Sequence, residues 1–162
     1  MALYAQTMLD LSIELARHDP VYEDFAIKFY DHFIWIAAAM DRVGDGDGMW
    51  NEEDGFFYDV LRLPDDTGVA LKVRSMVGLL PLCAITVYPH DVVDRLPRFV
   101  EHVRAFNRHH AGAVRAINLP GRPGVAGRFM LSILDESKLR RVLARLLDPA
   151  EFLSDFLSLI HI

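Results

Sequence analysis

The chain has 162 residues, of which 52% are hydrophobic, so it has enough apolar material to bury a core. Its net charge of −6 argues against a protein that binds a nucleic-acid backbone, because such proteins carry a basic face. No apolar run reaches the roughly 20 residues that span a bilayer, and the single cysteine excludes an internal disulfide, so we expect a cytoplasmic protein without a membrane span.

Helical spacing of apolar residues predicts two helices at the start of the chain. The first covers residues 2–18. The second covers about residues 20–42 and is introduced by Asp19 as N-cap and Pro20 at the first helical position. The first helix carries two adjoining apolar stripes, which predict burial on two sides. The stripes are Met8, Leu11 and Leu15, and Leu9, Ile13 and Ala16.

The rest of the chain continues this mainly α pattern around one short sheet. Residues 57–63 and 69–73 flank the turn sequence 64–68 and predict a β-hairpin. Further helices are predicted over residues 75–87, about 93–109 and about 135–147, with a loop rich in glycine and proline over residues 111–128. Antiparallel helix pairs form bundles, solenoids or an (α/α)6 toroid, and periodicity alone leaves these open.

The predicted helix near the end of the chain carries a basic run. Residues 138–145 hold one lysine and three arginines between apolar residues at helical spacing. We interpret these basic side chains as a solvated helix face, in preference to a nucleic-acid patch, so no nucleic-acid partner is expected.

The residues with the most distinctive chemistry lie in an acidic and aromatic loop, residues 45–59. This loop holds six carboxylates together with one Trp, one Tyr and two Phe. A flat aromatic ring can stack on a sugar, while carboxylates accept hydrogen bonds from hydroxyls or act as general acid and base. The loop therefore predicts a carbohydrate site, and the alternative is a solvated turn whose aromatic side chains fill the core.

Calcium is the competing chemistry for this loop. Asp45, Asp47, Gly48 and Asp54 partly match an EF-hand loop, but Val43 then stands at the first ligand position and Asp54 at the last. The histidines lack ligand spacing, and glycine-rich phosphate loops are absent from the sequence. We therefore expect no metal and no cofactor.

Three segments in order resemble bacterial glucosidase-like proteins of glycoside hydrolase family 63, with a mannosylglycerate hydrolase-like catalytic domain. The segments are residues 49–59 (MWNEEDGFFYD), 73–82 (VRSMVGLLPL) and 148–154 (DPAEFLS). The resemblance covers residues 1–156 as a partial domain and leaves residues 157–162 as an unrelated or truncated tail. It implies a mainly α fold, part of an (α/α)6 toroid of antiparallel helix hairpins with a small inserted β-hairpin near residues 57–73.

The resemblance also implies an enzyme that cleaves α-glycosidic bonds with inversion, using an Asp acid and a Glu base. The segments that supply this pair in the family are not recognisable here, so we assign no catalytic residue to the chain. The expected partners are a small carbohydrate substrate and the missing remainder of the same catalytic domain. A slice of that domain should expose one of the two stripes of the first helix, because its neighbours are absent.

The predicted substrate-binding residues are Trp50, Asp54 and Tyr58. Trp50 would stack on the sugar, Asp54 would accept hydrogen bonds from hydroxyls, and Tyr58 would present its hydroxyl to the cleft. Two alternatives from other classes stay open: a non-catalytic helical interaction module, and a sugar- or calcium-binding module without activity.

Overall fold

The computed structural model describes residues 1–41, 48–114, 117 and 124–153. The helices in these ranges are α1 (Ala2–Ala16), α2 (Glu23–Met40), α3 (Asp91–Arg95), α4 (Pro97–His109), α5 (Ala111–Val114) and α6 (Glu136–Leu146). The strands are β1 (Trp50–Asn51), β2 (Phe56–Phe57), β3 (Asp59–Arg62), β4 (Gly68–Leu71), β5 (Ile85–Tyr88) and β6 (Phe129–Ser132). Short 3-10 helices occupy Pro20–Tyr22, Met76–Cys83 and Val125–Gly127. Among the described residues, no helix combines the length and hydropathy needed to cross a bilayer.

The chain divides into two compact units, each built from two separate stretches. The first unit comprises Met1–Ala38 and Ala84–Ile133, and the second comprises Ala39–Cys83 and Leu134–Ile162. The predicted tail, residues 157–162, lies outside the described residues.

Helix α1 belongs to the first unit and buries one of its two apolar stripes. Leu9 is fully buried and Ile13 is 4% exposed, whereas Leu11 and Leu15 are 54% and 47% exposed. The prediction of burial on two sides is therefore wrong for α1, and the prediction that one stripe stays open is confirmed. Polar contacts accompany the buried side: Asp10 accepts hydrogen bonds from the side chains of Gln6, Thr86 and Tyr88.

Aromatic packing joins α2 to α4 within the first unit. Tyr30 is almost fully buried, and its ring meets those of Phe99 and Phe106 edge to face. The buried carboxylate of Glu23 accepts a hydrogen bond from the backbone N–H of Phe99 near the start of α4, where the chain leaves donors unpaired. Pro97 occupies the first turn of α4, which suits its missing N–H.

Strands β5 and β6 form an antiparallel ladder in the same unit, with Ile85 opposite Ser132 and Tyr88 opposite Phe129. The predicted helix over residues 75–87 is therefore wrong. Gly78 and Pro81 restrict its first half to a 3-10 helix, and the β-branched residues that follow suit a strand.

In the second unit two hairpins precede the 3-10 helix. Strands β1 and β2 pair antiparallel, and so do β3 and β4, with Asp59 opposite Leu71. The predicted β-hairpin near residues 57–73 is confirmed. The 3-10 helix crosses β2 so closely that a Cβ on Gly78 would lie 2.2 Å from Phe56 Cε1, so only glycine fits there.

Helix α6 lies in the second unit and is confirmed as predicted. Asp135 caps it, because its carboxylate accepts a hydrogen bond from the N–H of Lys138 at 2.8 Å. The prediction that the basic run of α6 is a solvated face holds for the exposed Arg140 and is wrong for the other three basic residues. Lys138 is buried and pairs with the buried Asp41, while Arg141 and Arg145 are half-buried.

The predicted (α/α)6 toroid of antiparallel helix hairpins is also wrong. Such a ring needs six pairs of long helices, and a chain of 162 residues is too short to hold them. In the described residues α3 and α5 have only five and four residues. The described residues form three antiparallel strand pairs, of which β5–β6 includes residues that were predicted to be helical.

Candidate functional site

Residues 52–55 of the acidic loop form the turn of the β1–β2 hairpin in the second unit. Asn51 Oδ1 accepts a hydrogen bond from the backbone N–H of Asp54 at 2.7 Å and holds the turn. Gly55 follows with a φ of +64°, a left-handed conformation that favours glycine. A Cβ at this position would also lie 2.5 Å from Arg141 Nε. The turn therefore fixes where Asp54 projects.

Arg74 stands at the centre of an ion cluster that includes Asp54. Its Nη2 lies 3.6 Å from Asp54 Oδ1, its Nη1 donates to the carboxylate of Glu151, and its Nε donates to the Tyr58 hydroxyl at 3.3 Å. Lys72 Nζ lies 3.1 Å from the other carboxylate oxygen of Asp54. We call these five residues the Arg74 cluster.

Arg145 of α6 fixes the cluster from a second direction. Its Nη1 donates to Glu151 at 2.8 Å, and its Nη2 donates to the backbone carbonyl of Asp54 at 3.1 Å. The Glu151 side chain is only 15% exposed, and its Oε2 has no hydrogen-bond partner within the described ranges. A buried carboxylate oxygen without a donor is costly, which sets Glu151 apart from the other acids of the cluster.

The electrostatics of the loop favour ionised carboxylates. The hydrogen bond from Lys72 lowers the pKa of Asp54, and the hydrogen bond from the Trp50 indole lowers the pKa of Glu52. A general acid needs a raised pKa to hold a proton at neutral pH. These two groups can therefore accept hydrogen bonds but are poor proton donors.

Trp50 lies on the opposite face of the hairpin from Tyr58. Phe57 and Tyr58 are consecutive in extended chain, so their side chains leave opposite faces. Trp50 pairs with Phe57, and their ring centroids are 4.9 Å apart, whereas Tyr58 lies beside Phe56 at 5.5 Å. The structure thus brings Asp54 and Tyr58 together and separates Trp50 from them.

Two basic side chains of α6 lie close to the Trp50 ring. Lys138 Nζ and Arg141 Cζ lie 5.6 and 5.5 Å from its centroid, within the range of a cation–π interaction. The Trp50 indole N–H donates to Glu52 Oε2 at 2.6 Å, and Arg141 donates to Glu52 Oε1 at 2.6 Å. Glu52, Lys138 and Arg141 thus hold the hairpin on the face that carries Trp50, opposite the face that carries Tyr58.

Arg74, Glu151, Lys72 and Arg145 were missed as site residues by reasoning from the sequence. Arg74 and Glu151 lie in the second and third segments that resemble family 63, and Asp54 lies in the first. Attention to charged residues in those segments would have found both. Lys72 carried no comparable signal, and Arg145 was assigned to a solvated face.

A calcium site finds no support among residues 1–41, 48–114, 117 and 124–153, which hold no group of three or more His, Cys, Asp or Glu side chains placed to bind a metal. Asp45 and Asp47, the first acids of the EF-hand interpretation, lie outside the described residues. Asp54 makes ion pairs with Lys72 and Arg74, which suits a hydrogen-bonding role better than a cation site.

Comparison with known proteins gives one longer relative. The chain is 36% identical over 169 residues to the uncharacterized protein YMR196W of Saccharomyces cerevisiae. The match covers 96% of this chain and 15% of the yeast protein. No family model matches the chain. No solved structure matches it.

Proposed function

We propose that this chain is the carbohydrate-contacting part of a glucosidase-like glycoside hydrolase that cleaves α-glycosidic bonds with inversion. The chain supplies a substrate-facing loop and not the catalytic pair. The proposal includes a cytoplasmic location, which is supported by the single free cysteine, Cys83.

One observation carries the proposal. Asp54, Arg74 and Glu151 come one each from the three segments that resemble family 63 glucosidases, and they join in a single ion cluster. Segments that are up to 97 positions apart, from Asp54 to Glu151, thus meet through their charged side chains. The three segments therefore bring charged groups of both signs to one place in the second unit.

The Arg74 cluster has the chemistry that sugar hydroxyls require. Each hydroxyl donates one hydrogen bond and accepts others. The carboxylates of Asp54 and Glu151 provide acceptors, and the guanidinium groups of Arg74 and Arg145 provide donors. Because the side chains are held by one another, little conformational entropy is lost when a sugar binds. Stacking of Trp50 on a sugar stays a prediction. Because Trp50 lies on the other face of the hairpin, it would make a second contact, separate from that of the Arg74 cluster.

In this proposal the general acid and the general base belong to polypeptide outside this chain. Both shifted carboxyls in the loop have lowered pKa values, which suits ground-state hydrogen bonding. The yeast relative is much longer than this chain, and the open stripe of α1 offers an apolar surface of the kind that packs against further polypeptide. We therefore propose the remainder of a catalytic domain as the partner.

Sugar binding by the 162-residue chain tests the proposal. We expect saturation-transfer NMR to detect maltose, an α-linked disaccharide, and to give weaker signals with β-linked cellobiose. Arg74→Gln should weaken maltose binding by about tenfold or more, because a hydrogen bond to a charged group contributes about 1.5 to 3 kcal/mol.

Arg140→Gln is the matched control. Arg140 belongs to the same basic run but is 76% exposed and pairs with Glu136, outside the cluster. Glu151→Gln keeps the shape of the side chain and should also weaken binding. Failure of the unaltered chain to bind maltose, or equal binding by Arg74→Gln and Arg140→Gln, would refute the proposal.

A further inference from the structure

A cavity of about 620 Å³ lies within the first unit, and no residue of the Arg74 cluster lines it. Its volume falls in the range of about 300 to 1,000 Å³ that is typical of small-molecule sites. Apolar side chains make most of the wall, among them Leu9, Phe99, Val103, Phe129 and Leu131. These walls favour a ligand with an apolar body.

The sequence of α4 explains why the cavity has one basic side. Val100, Val103, Arg104, Asn107 and Arg108 all line it, and their spacing of three and four residues places them on one helix face. The same face continues into a neighbouring hollow of about 520 Å³, which shares Val100, Arg104 and Arg108 and adds Glu101. The rim therefore carries two cations and one anion.

The two arginines are available to a ligand. Within the described part of the chain, neither Arg104 nor Arg108 makes an ion pair or a hydrogen bond. By contrast, Arg98 on the same helix pairs with Asp24 at 2.6 Å. A guanidinium group without a carboxylate partner suits recognition of a planar carboxylate.

The side-chain amide of Asn107 adds an uncharged hydrogen-bond donor to the lining of the cavity. The Tyr30 hydroxyl donates to Asn107 Oδ1 at 2.8 Å, which leaves the Asn107 amide N–H groups for another acceptor. Burial raises the pKa of Tyr30, so the phenol keeps its proton and the amide keeps this orientation. The polar groups offered by Arg104, Arg108 and Asn107 are thus donors.

We propose that this cavity binds an organic monocarboxylate with an apolar body, the carboxylate at Arg104 and Arg108 and the body against Phe99, Val103 and Phe129. The apolar walls supply most of the affinity, and the arginines select for the anion. This ligand is chemically distinct from a sugar, so the site is separate from that of the proposed function.

Titration calorimetry with decanoate tests this site. Decanoate should bind, 1-decanol should bind about three- to tenfold more weakly because it lacks the charge, and acetate should bind least because it lacks the apolar body. The double variant Arg104→Gln/Arg108→Gln should reduce decanoate affinity about tenfold or more and leave decanol affinity unchanged.

Arg95→Gln/Arg98→Gln is the matched control, since it removes the same charge from residues that line neither hollow. Val103→Phe should fill the cavity and abolish binding of both long ligands, with circular dichroism to check the fold. The inference is overturned if decanoate does not bind, if decanol binds equally well, or if the two double variants lose decanoate affinity alike.

Discussion

Arg141 of α6 holds the carboxylate of Glu52 with a hydrogen bond of 2.6 Å, although the two residues are 89 positions apart. The acidic loop and the basic run of α6 are therefore two sides of one contact within the second unit. The candidate site therefore depends on the packing of α6 against the loop within this unit.

Gly55→Ala should lower the free energy of unfolding by about 1 to 3 kcal/mol, since alanine is strained at a positive φ. The new Cβ would also meet Arg141 Nε, which lies 2.5 Å from its ideal position. Gly112→Ala is the control, because its position is helical and, apart from its own helix backbone and chain neighbours, no atom of a described residue lies within 4 Å of its Cβ. Urea denaturation measures both, and equal stabilities would show that the turn is not constrained as described.

Lys138→Met should destabilise the chain by about 2 to 4 kcal/mol, because it leaves the buried carboxylate of Asp41 without its partner. The two side chains are only 10% and 8% exposed. Adding Asp41→Asn to Lys138→Met should recover part of the loss, as the remaining charge is removed. A double-mutant cycle in urea gives the coupling, and a double variant less stable than Lys138→Met would contradict this account.

Lys72→Gln should raise the pKa of Asp54, because the hydrogen bond from Lys72 is the main cause of the lowered value. The paired carboxylate contributes stability above the unfolded pKa, about 3.9, and loses it as pH falls through the lowered folded pKa. Lys72→Gln should therefore flatten the acid side of the stability profile. Carbon-13 NMR titration of the Asp54 carboxyl measures the shift, with the exposed Lys28→Gln as control.

Leu9→Ala should cost about 2 to 5 kcal/mol, because Leu9 is fully buried and its removal leaves a cavity. Leu11→Ala, two positions further on the open stripe of α1, should cost less than about 1 kcal/mol. Thermal unfolding of the two variants tests the assignment of the stripes. Similar costs for both would mean that Leu11 is covered in solution.

The 162-residue chain should not hydrolyse nitrophenyl α-glucoside, because the proposal leaves the acid and base outside it. The assay needs Asp54→Asn as a control for a contaminating host glucosidase. Turnover that disappears in Asp54→Asn would put a catalytic carboxylate in the loop and contradict the assignment.

Local signals in the sequence were sufficient for several elements. The apolar spacing of α1, the Asp19-Pro20 start before α2, the turn between β3 and β4, and the apolar spacing of α6 each act over a few residues. The structure confirms all four. Local capping and turn chemistry can be read from sequence because the interacting groups are neighbours in the chain.

Contacts between residues that are far apart in the sequence could not be predicted from such local signals. Strand β6 becomes a strand because it meets β5, whose residue Ile85 pairs with Ser132, 47 positions later. Likewise Arg141 and Arg145 turn toward the acidic loop only because α6 packs beside β2. The sequence pattern marks these residues as basic and amphipathic but does not name the partner.

The composition of the candidate site could not be predicted in full for the same reason. Asp54 and Tyr58 were predicted together with Trp50 because they are close in sequence, yet alternation along the hairpin sends Trp50 to the other face. Arg74 and Glu151, which complete the cluster, lie in the two other segments that resemble family 63, but nothing in the sequence shows that these segments meet the loop.

Both units are discontinuous in the chain, and this has a consequence for biosynthesis. The β5–β6 ladder of the first unit cannot close until Ser132 has left the ribosome, and the second unit must wait longer still for Arg145 and Glu151. Neither unit can therefore fold as its first stretch is translated, unlike domains that form one after another from the N-terminus. During that interval the apolar residues of α1 and α2 are exposed together, so the nascent chain should be a substrate for ribosome-associated chaperones.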